Sequence, residues 1–187
     1  FLIHKLCGVK LILSQRNDPI AEYRDDRKKG MLAARYFKDA DRVVFQTDDE
    51  RDYFEPSIRE HSTIILNPIK QNLPEPYDGD REKIVVNFCR LERQKNIPLL
   101  IDAFIEFHNT YPEYKLNIYG EGTEKEKLES LISKKNADSF IDILPFSKNV
   151  HKDVLKAAMF VSTSDYEGIS NSMIEAMAIG IPTICTD

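Results

Sequence analysis

The 187-residue chain has no tryptophan and only seven glycines, and its three cysteines stand far apart. Cys7, Cys89 and Cys185 form no CxxC pair and have no cysteine–histidine spacing, which excludes a zinc ribbon or a dithiol redox motif. Buried, reduced thiols are expected. His4, His61, His108 and His151 also lack metal-ligand spacing, and surface or capping roles are expected for His61 and His108. Basic residues are outnumbered, 26 Lys and Arg against 31 Asp and Glu, giving a net charge of −5. That balance excludes the concentrated basic face that nucleic acid requires. The local cluster Arg24, Arg27, Lys28 and Lys29 is interleaved with Asp25 and Asp26 and reads as a solvated helix face. No apolar run approaches the ~20 residues that span a bilayer, and Phe1-Leu-Ile is too short for a signal-peptide core. A cytoplasmic location is the expectation. What remains is an ordinary globular composition, 42% hydrophobic and 30% charged. Both ends enter apolar pattern at once, so a piece of a longer polypeptide is expected.

Short β-branched runs alternate with helical periodicity. Val9 to Leu13, Val43 to Gln46 and Thr63 to Leu66 read as strands of a first part. Ile84 to Phe88, Leu116 to Tyr119, Phe140 to Leu144, Phe160 to Ser162 and Thr183 to Cys185 read as strands of a second. Most are continuous apolar runs, as expected of strands covered on both faces. Ile97, Leu100, Ile101, Phe104 and Ile105 make a helical stripe, and Val150, Val154, Leu155 and Ala158 make another. Thr123-Glu-Lys-Glu126 reads as a capping box ahead of Leu128, Leu131 and Ile132. Alternation of this kind implies βαβ units. The predicted class is α/β, with two Rossmann-like parallel-sheet domains, both incomplete. The proline-rich stretch Asn67 to Asp80 separates them, giving segments 1–70, 71–82 as linker, and 83–187.

Ligands of open parallel sheets bind beyond the C-terminal strand ends, and three such junctions carry distinctive residues. Cys89-Arg-Leu-Glu-Arg-Gln-Lys-Asn96 places Arg90 and Lys95 beside a helix start, an arrangement suited to a diphosphate or to solvent alone. Tyr119-Gly-Glu-Gly122 offers Gly120 and Gly122 for a tight turn or for close approach to a ligand; a full GxGxxG is absent, since Lys125 takes the last position. Ser164-Asp-Tyr-Glu-Gly-Ile-Ser-Asn-Ser-Met-Ile-Glu175 supplies Glu167, Gly168, Ile169, Ser170, Asn171 and Glu175 at a loop-to-helix junction. Carboxylates and helix N–H groups there suit hydroxyls and phosphate. Ser172-Met-Ile-Glu175 is equally a capping box, and spacing does not decide between the two. Asp39-Ala-Asp41 and Asp78-Gly-Asp80 are Asp-x-Asp triplets, but neither follows a buried strand, so no metal site is assigned.

In order and spacing, the Cys89–Phe104, Tyr119–Gly122 and Ser164–Thr183 blocks resemble three successive blocks of family 4 glycosyltransferases, retaining enzymes of the GT-B fold. Leu13-Ser-Gln-Arg-Asn-Asp-Pro19 and Tyr36 to Asp48 resemble the end of that family's N-terminal domain. The resemblance implies an acceptor-side segment 1–70 and a donor-binding segment 83–187, the latter cut short at its end. It implies a nucleotide-sugar donor, with UDP as the expected nucleotide, and transfer with retention to a glycan or lipid-linked acceptor in bacterial surface polysaccharide assembly. Peripheral contact with the inner membrane face goes with such acceptors, and no cofactor or metal is implied. Arg90 and Lys95 would neutralise the diphosphate, and Glu167 would contact the transferred sugar. Gly168, Ile169 and Ser170 would offer backbone amides, Asn171 would open the binding helix, and Glu175 would hold the ribose. The base would rest near Pro145 and Phe146; phenylalanine stands where many relatives carry glycine. Arg16 would face the acceptor side of the cleft. The alternatives are a non-catalytic nucleotide-sugar-binding module and a GT-B phosphorylase or epimerase.

Overall fold

The computed structural model describes residues 2–186; Phe1 and Asp187, the outer residues of the predicted segments, lie outside it. The chain divides into two units. The first holds residues 1–68 together with Tyr166–Ile169, and the second holds Ile69–Asp165 with Ser170–Asp187.

The first unit runs α1 (Leu2–Cys7), β1 (Ile12–Ser14), α2 (Pro19–Tyr23), α3 (Arg27–Asp39), β2 (Arg42–Phe45), α4 (Asp48–Asp52), α5 (Pro56–Arg59) and β3 (Ser62–Ile64). Its three strands are parallel in the order β1-β2-β3. Two helices open on aspartate caps. Asp18 accepts from the backbone N–H of Ile20, and Asp26 from that of Lys29, at 2.9 Å each. The core is largely aromatic: Phe37, Phe45 and Phe54 meet with ring centroids 5.1 to 6.2 Å apart, over Val43 and Ile58. The strand predicted from Val9 begins only at Ile12, and the one predicted to Leu66 ends at Ile64. Val9, Ile65 and Leu66 are exposed, so their apolar character had no core to face.

Glu50, in α4, is buried at 3% exposure. Its Oε2 accepts from the Gln46 N–H at 2.7 Å, while Oε1 has no hydrogen-bond partner. Burial is the main cause that pushes this carboxyl above its ordinary value of 4.5. The folded state therefore holds the proton to higher pH than the unfolded chain does. Its favourable contribution is complete below the ordinary value and is lost as pH rises through the folded one. Glu50→Gln, which stays neutral, is expected to gain stability over the parent at pH 8 and not at pH 4. Urea midpoints at both pH values check this, and an equal difference at both would refute it.

The second unit carries β4 (Glu82–Phe88), α6 (Ile97–Thr110), β5 (Lys115–Tyr119), α7 (Lys125–Lys134), β6 (Ile141–Leu144), α8 (Val150–Asp153), β7 (Ala157–Ser162), α9 (Asn171–Ala178) and β8 (Thr183–Cys185). All five strands are parallel, ordered β6-β5-β4-β7-β8. One face packs Val85, Leu116, Ile118 and Ile141 under the predicted α6 stripe and under Leu128 and Ile132 of α7. The other packs Val86, Phe88 and Phe160 against Ala176, Ile179 and Val154. Both faces are covered, which is why the strands read as continuous apolar runs.

Three expectations are corrected. The stripe from Val150 to Ala158 is not one helix: α8 ends at Asp153, and Ala158 already lies in β7. Thr123 does not cap α7. Its hydroxyl donates to Glu92 Oε2 at 2.8 Å, and α7 starts at Lys125 with no side-chain cap. The end of the predicted linker is tied down locally. Tyr77 N–H donates to the Ile179 carbonyl, and Arg81 donates to the carbonyls of Tyr77, Ala157 and Gly180, all inside the second unit. The thiols are not all buried, since Cys7 and Cys185 are exposed at the ends of a short helix and an edge strand. The Arg24–Lys29 cluster is a solvated face, as expected.

Candidate nucleotide-binding cleft

Parallel strands bring all their C-terminal ends to one edge. In the second unit the chain reverses direction across the sheet between β4 and β7, and such a switch point opens a crevice. A cleft of about 470 Å³ lies there. Its walls are Phe88 at the end of β4 with Cys89 and Arg90 after it, Tyr119 and Glu121 at the end of β5, and Phe146 and Ser147 after β6. Val150 and His151 of α8 add to them, as do Asn171, Ser172 and Glu175 of α9, and Lys70.

The β4 and β5 loops are zipped together by backbone hydrogen bonds. Leu91 N–H donates to the Glu121 carbonyl at 2.9 Å, and Glu124 N–H to the Leu91 carbonyl at 3.0 Å. This contact accounts for the glycine pair. A Cβ on Gly120 would sit 2.1 Å from the Cys89 carbonyl oxygen, and one on Gly122 would sit 2.3 Å from that of Leu91. The glycines admit the neighbouring loop, and Glu121 between them lines the cleft.

The first turn of α9 forms the opposite wall. Ser170 is its N-cap, yet the Ser170 side chain does not cap the helix; its hydroxyl lies 3.2 Å from that of Ser172. Backbone N–H groups of a first turn attract anions. The Ser172–Glu175 capping box does not form, because Ser172 already lies inside the helix. Glu175 instead accepts from His151 Nε2 at 2.7 Å. His151 is 5% exposed and sits edge-on to Phe88.

The predicted site residues are distributed unevenly. Arg90, Phe146, Asn171 and Glu175 line the cleft. Pro145 adjoins Phe146 without being part of the lining. Lys95 closes a 3-10 turn, Arg93–Lys95, and its carbonyl accepts from Thr163 Oγ1 at 3.2 Å; it too is outside the lining. Lys70 supplies the second cation there, its Nζ donating to the Lys148 carbonyl at 3.1 Å.

Glu167, Gly168 and Ile169 group with the first unit. Asp18 N–H donates to the Glu167 carbonyl at 3.3 Å, and Asn67 Nδ2 to that of Ile169 at 3.3 Å. A Cβ on Gly168 would lie 2.5 Å from Glu50 Oε1 and 2.7 Å from the Arg16 carbonyl. Arg16 donates to Asn67 Oδ1 at 2.8 Å. It lines a separate hollow of about 330 Å³ at the end of β1, with Gln15, Glu22, Tyr23 and Tyr36.

Lys70, Glu121 and His151 went unassigned in the sequence. Lys70 lies in a stretch without periodicity, and His151 meets Glu175 across 24 residues, a pairing that no local spacing announces. Glu121 stood in view within Gly120-Glu-Gly122. His61 Nε2 lies 3.0 Å from the Phe37 carbonyl, and His108 stacks on Phe140. Of the Asp-x-Asp acids, Asp41 is engaged by Lys10 at 2.9 Å and by the Leu11 N–H at 2.8 Å. Among the described residues, no group of three His, Cys, Asp or Glu could hold a metal, and no helix is long and apolar enough to cross a membrane.

The sequence profile described as Glycosyl transferases group 1 matches residues 70–187. An uncharacterized glycosyltransferase, MJ1059, of Methanocaldococcus jannaschii is 33% identical over 96% of this chain and 48% of its own length. A poly(ribitol-phosphate) alpha-N-acetylglucosaminyltransferase of Staphylococcus aureus is 33% identical over 68% of this chain and 26% of its own. The chain thus spans about half, or less, of the curated relatives it matches. A structure of an S. aureus TarM variant, solved with fondaparinux, alpha-GlcNAc-glycerol and UDP, superposes with a TM-score of 0.81 at 27% identity. The superposition covers 95% of this chain and 37% of that one. The two parallel-sheet units, in this order and with these neighbours, are those of a GT-B architecture. With the profile match extending from Lys70 through every wall of the cleft, the chain belongs to the group 1 glycosyl transferases.

Proposed function

We propose that the second unit holds the donor of a glycosyltransferase that moves a sugar from UDP to a glycan or lipid-linked acceptor, with retention, in bacterial surface polymer synthesis. One observation carries the reading: a carboxylate on the first turns of α9 and a guanidinium after β4 line the same cleft at the sheet's switch point. A nucleoside diphosphate needs both. Its ribose offers hydroxyl donors to Glu175, and its phosphates offer acceptors to Arg90, to Lys70 and to the first N–H groups of α9. Phe146, exposed beside the cleft, provides an apolar surface for the base. Lys95 supplies longer-range positive charge.

The chemistry follows from charge. As the glycosidic bond breaks, the diphosphate takes up negative charge, and fixed cations with helix N–H groups stabilise it. In this reading side-chain cations do the work, with no metal ion assigned. UDP in the TarM complex supports the choice of nucleotide. The alpha product named for the S. aureus relative supports retention, since common UDP-hexoses are themselves α-linked. Acceptors of that kind support a place at the cytoplasmic face of the membrane.

Two measurements test the reading. The full-length protein, offered UDP-sugars and a polyol-phosphate or glycan acceptor, is expected to transfer sugar, and the 187 residues alone are expected not to; donor binding without turnover by the full-length protein would leave only a binding module. Arg90→Ala is expected to weaken UDP binding about tenfold, the size of one lost charge-assisted contact. Unchanged affinity in a calorimetric titration would remove Arg90 from the site.

A further inference from the structure

We propose that His151 is a positioning residue for Glu175, and that this contact lets the cleft distinguish ribose from 2′-deoxyribose. The proposal rests on the donor reading above. The carboxylate can only accept, so the 2.7 Å contact makes His151 Nε2 the donor to Oε2. The His151 side chain is 6% exposed and that of Glu175 is 21% exposed. The pair thus hides the imidazole and presents the carboxylate to the cleft. The ring itself is held edge-on by Phe88, with centroids 5.6 Å apart and planes at 77°.

The consequence is preorganisation. A glutamate has three rotatable bonds, and ordering it around a ligand costs rotamer entropy. Here the imidazole holds the side chain in one orientation before a ligand arrives. A site built to meet a hydroxyl rejects an analogue lacking it, because the polar group is then left unpaired. That penalty applies only where the carboxylate cannot turn away to solvent. His151 removes that freedom, so it sets the selectivity through Glu175. A plain latch joining α8 to α9 would show the same contact, but its loss would lower stability and leave selectivity alone.

Calorimetric titration of the full chain with UDP and with 2′-deoxy-UDP reads the affinity ratio, with thermal midpoints followed in parallel. The parent is expected to favour UDP by about tenfold. His151→Phe keeps a ring against Phe88 and removes the donor, and its ratio is expected to fall to about threefold or less. His151→Gln, whose amide reaches the Nε2 position, is expected to restore the ratio. If His151→Phe does not fold, His151→Asn, whose amide falls short of Oε2, takes its place with the same expected loss. A parent ratio near one, or a ratio preserved in these donor-less variants at any midpoint, overturns the proposal. If Glu175→Ala also leaves UDP affinity unchanged, the donor reading falls with it. An effect of Glu175 without one of His151 removes the positioning role alone.

Discussion

Glu175→Ala is expected to bind UDP about a hundredfold more weakly than the parent, as two lost hydrogen bonds to a charged acceptor would give. Arg90 and Lys70 still meet the phosphates in that variant, so binding weakens rather than vanishes. Alanine suits the interior of α9 at least as well as glutamate, so local helix formation does not suffer. The stability cost comes from His151, whose buried Nε2 loses its acceptor. Glu175→Gln retains an acceptor oxygen and is expected to fall between the two. Titration calorimetry against UDP, with folding checked by circular dichroism, reads the outcome. A loss smaller than about threefold would mean that α9 contributes nothing but its N–H groups.

Gly122→Ala is expected to lower the free energy of unfolding by about 3 kcal/mol or more, at the upper end of overpacking costs. The added Cβ would meet the Leu91 carbonyl oxygen at 2.3 Å, its carbon at 2.6 Å and the Leu91 nitrogen at 2.8 Å. All three are backbone atoms, so no rotamer change relieves the clash. The loops must separate, and Leu91 N–H to Glu121 and Glu124 N–H to Leu91 are then lost. Arg90 rides on the displaced loop, so UDP affinity is expected to fall with stability. Gly79 supplies the contrast. A Cβ there would lie 2.5 Å from the Tyr77 hydroxyl, a side-chain tip that can swing away, so Gly79→Ala is expected to cost under about 1 kcal/mol. Urea denaturation of both variants checks the pair, and similar losses would show that the loop contact is not the cause.

Much of the second unit was legible locally. The α6 stripe of Ile97, Leu100, Ile101 and Phe104 is buried as its period required, and the apolar runs from Ile84 and Leu116 became central strands. Errors fell where tertiary partners overrode local chemistry. Thr123 found Glu92 in place of its own helix; for Glu175, where spacing left two readings open, packing chose His151 as the partner. The apolar character of Val150 to Ala158 served a short helix and then a strand, because β7 had to begin where β4 offered it an edge.

The sequence by itself determined the alternating α/β order, the family and the chemical types available, because hydrophobic period and motif spacing are local properties of the chain. Tertiary structure alone decided which of those groups meet. Parallel pairing carries Arg90, Glu121, Phe146 and Glu175 to one edge from positions tens of residues apart. The same packing left Lys95 outside the lining, brought Lys70 into it, and grouped Glu167 to Ile169 with the first unit. Spacing along the chain fixes distance only within a turn of helix or a strand. Beyond that, sheet order and loop contacts set which side chains converge.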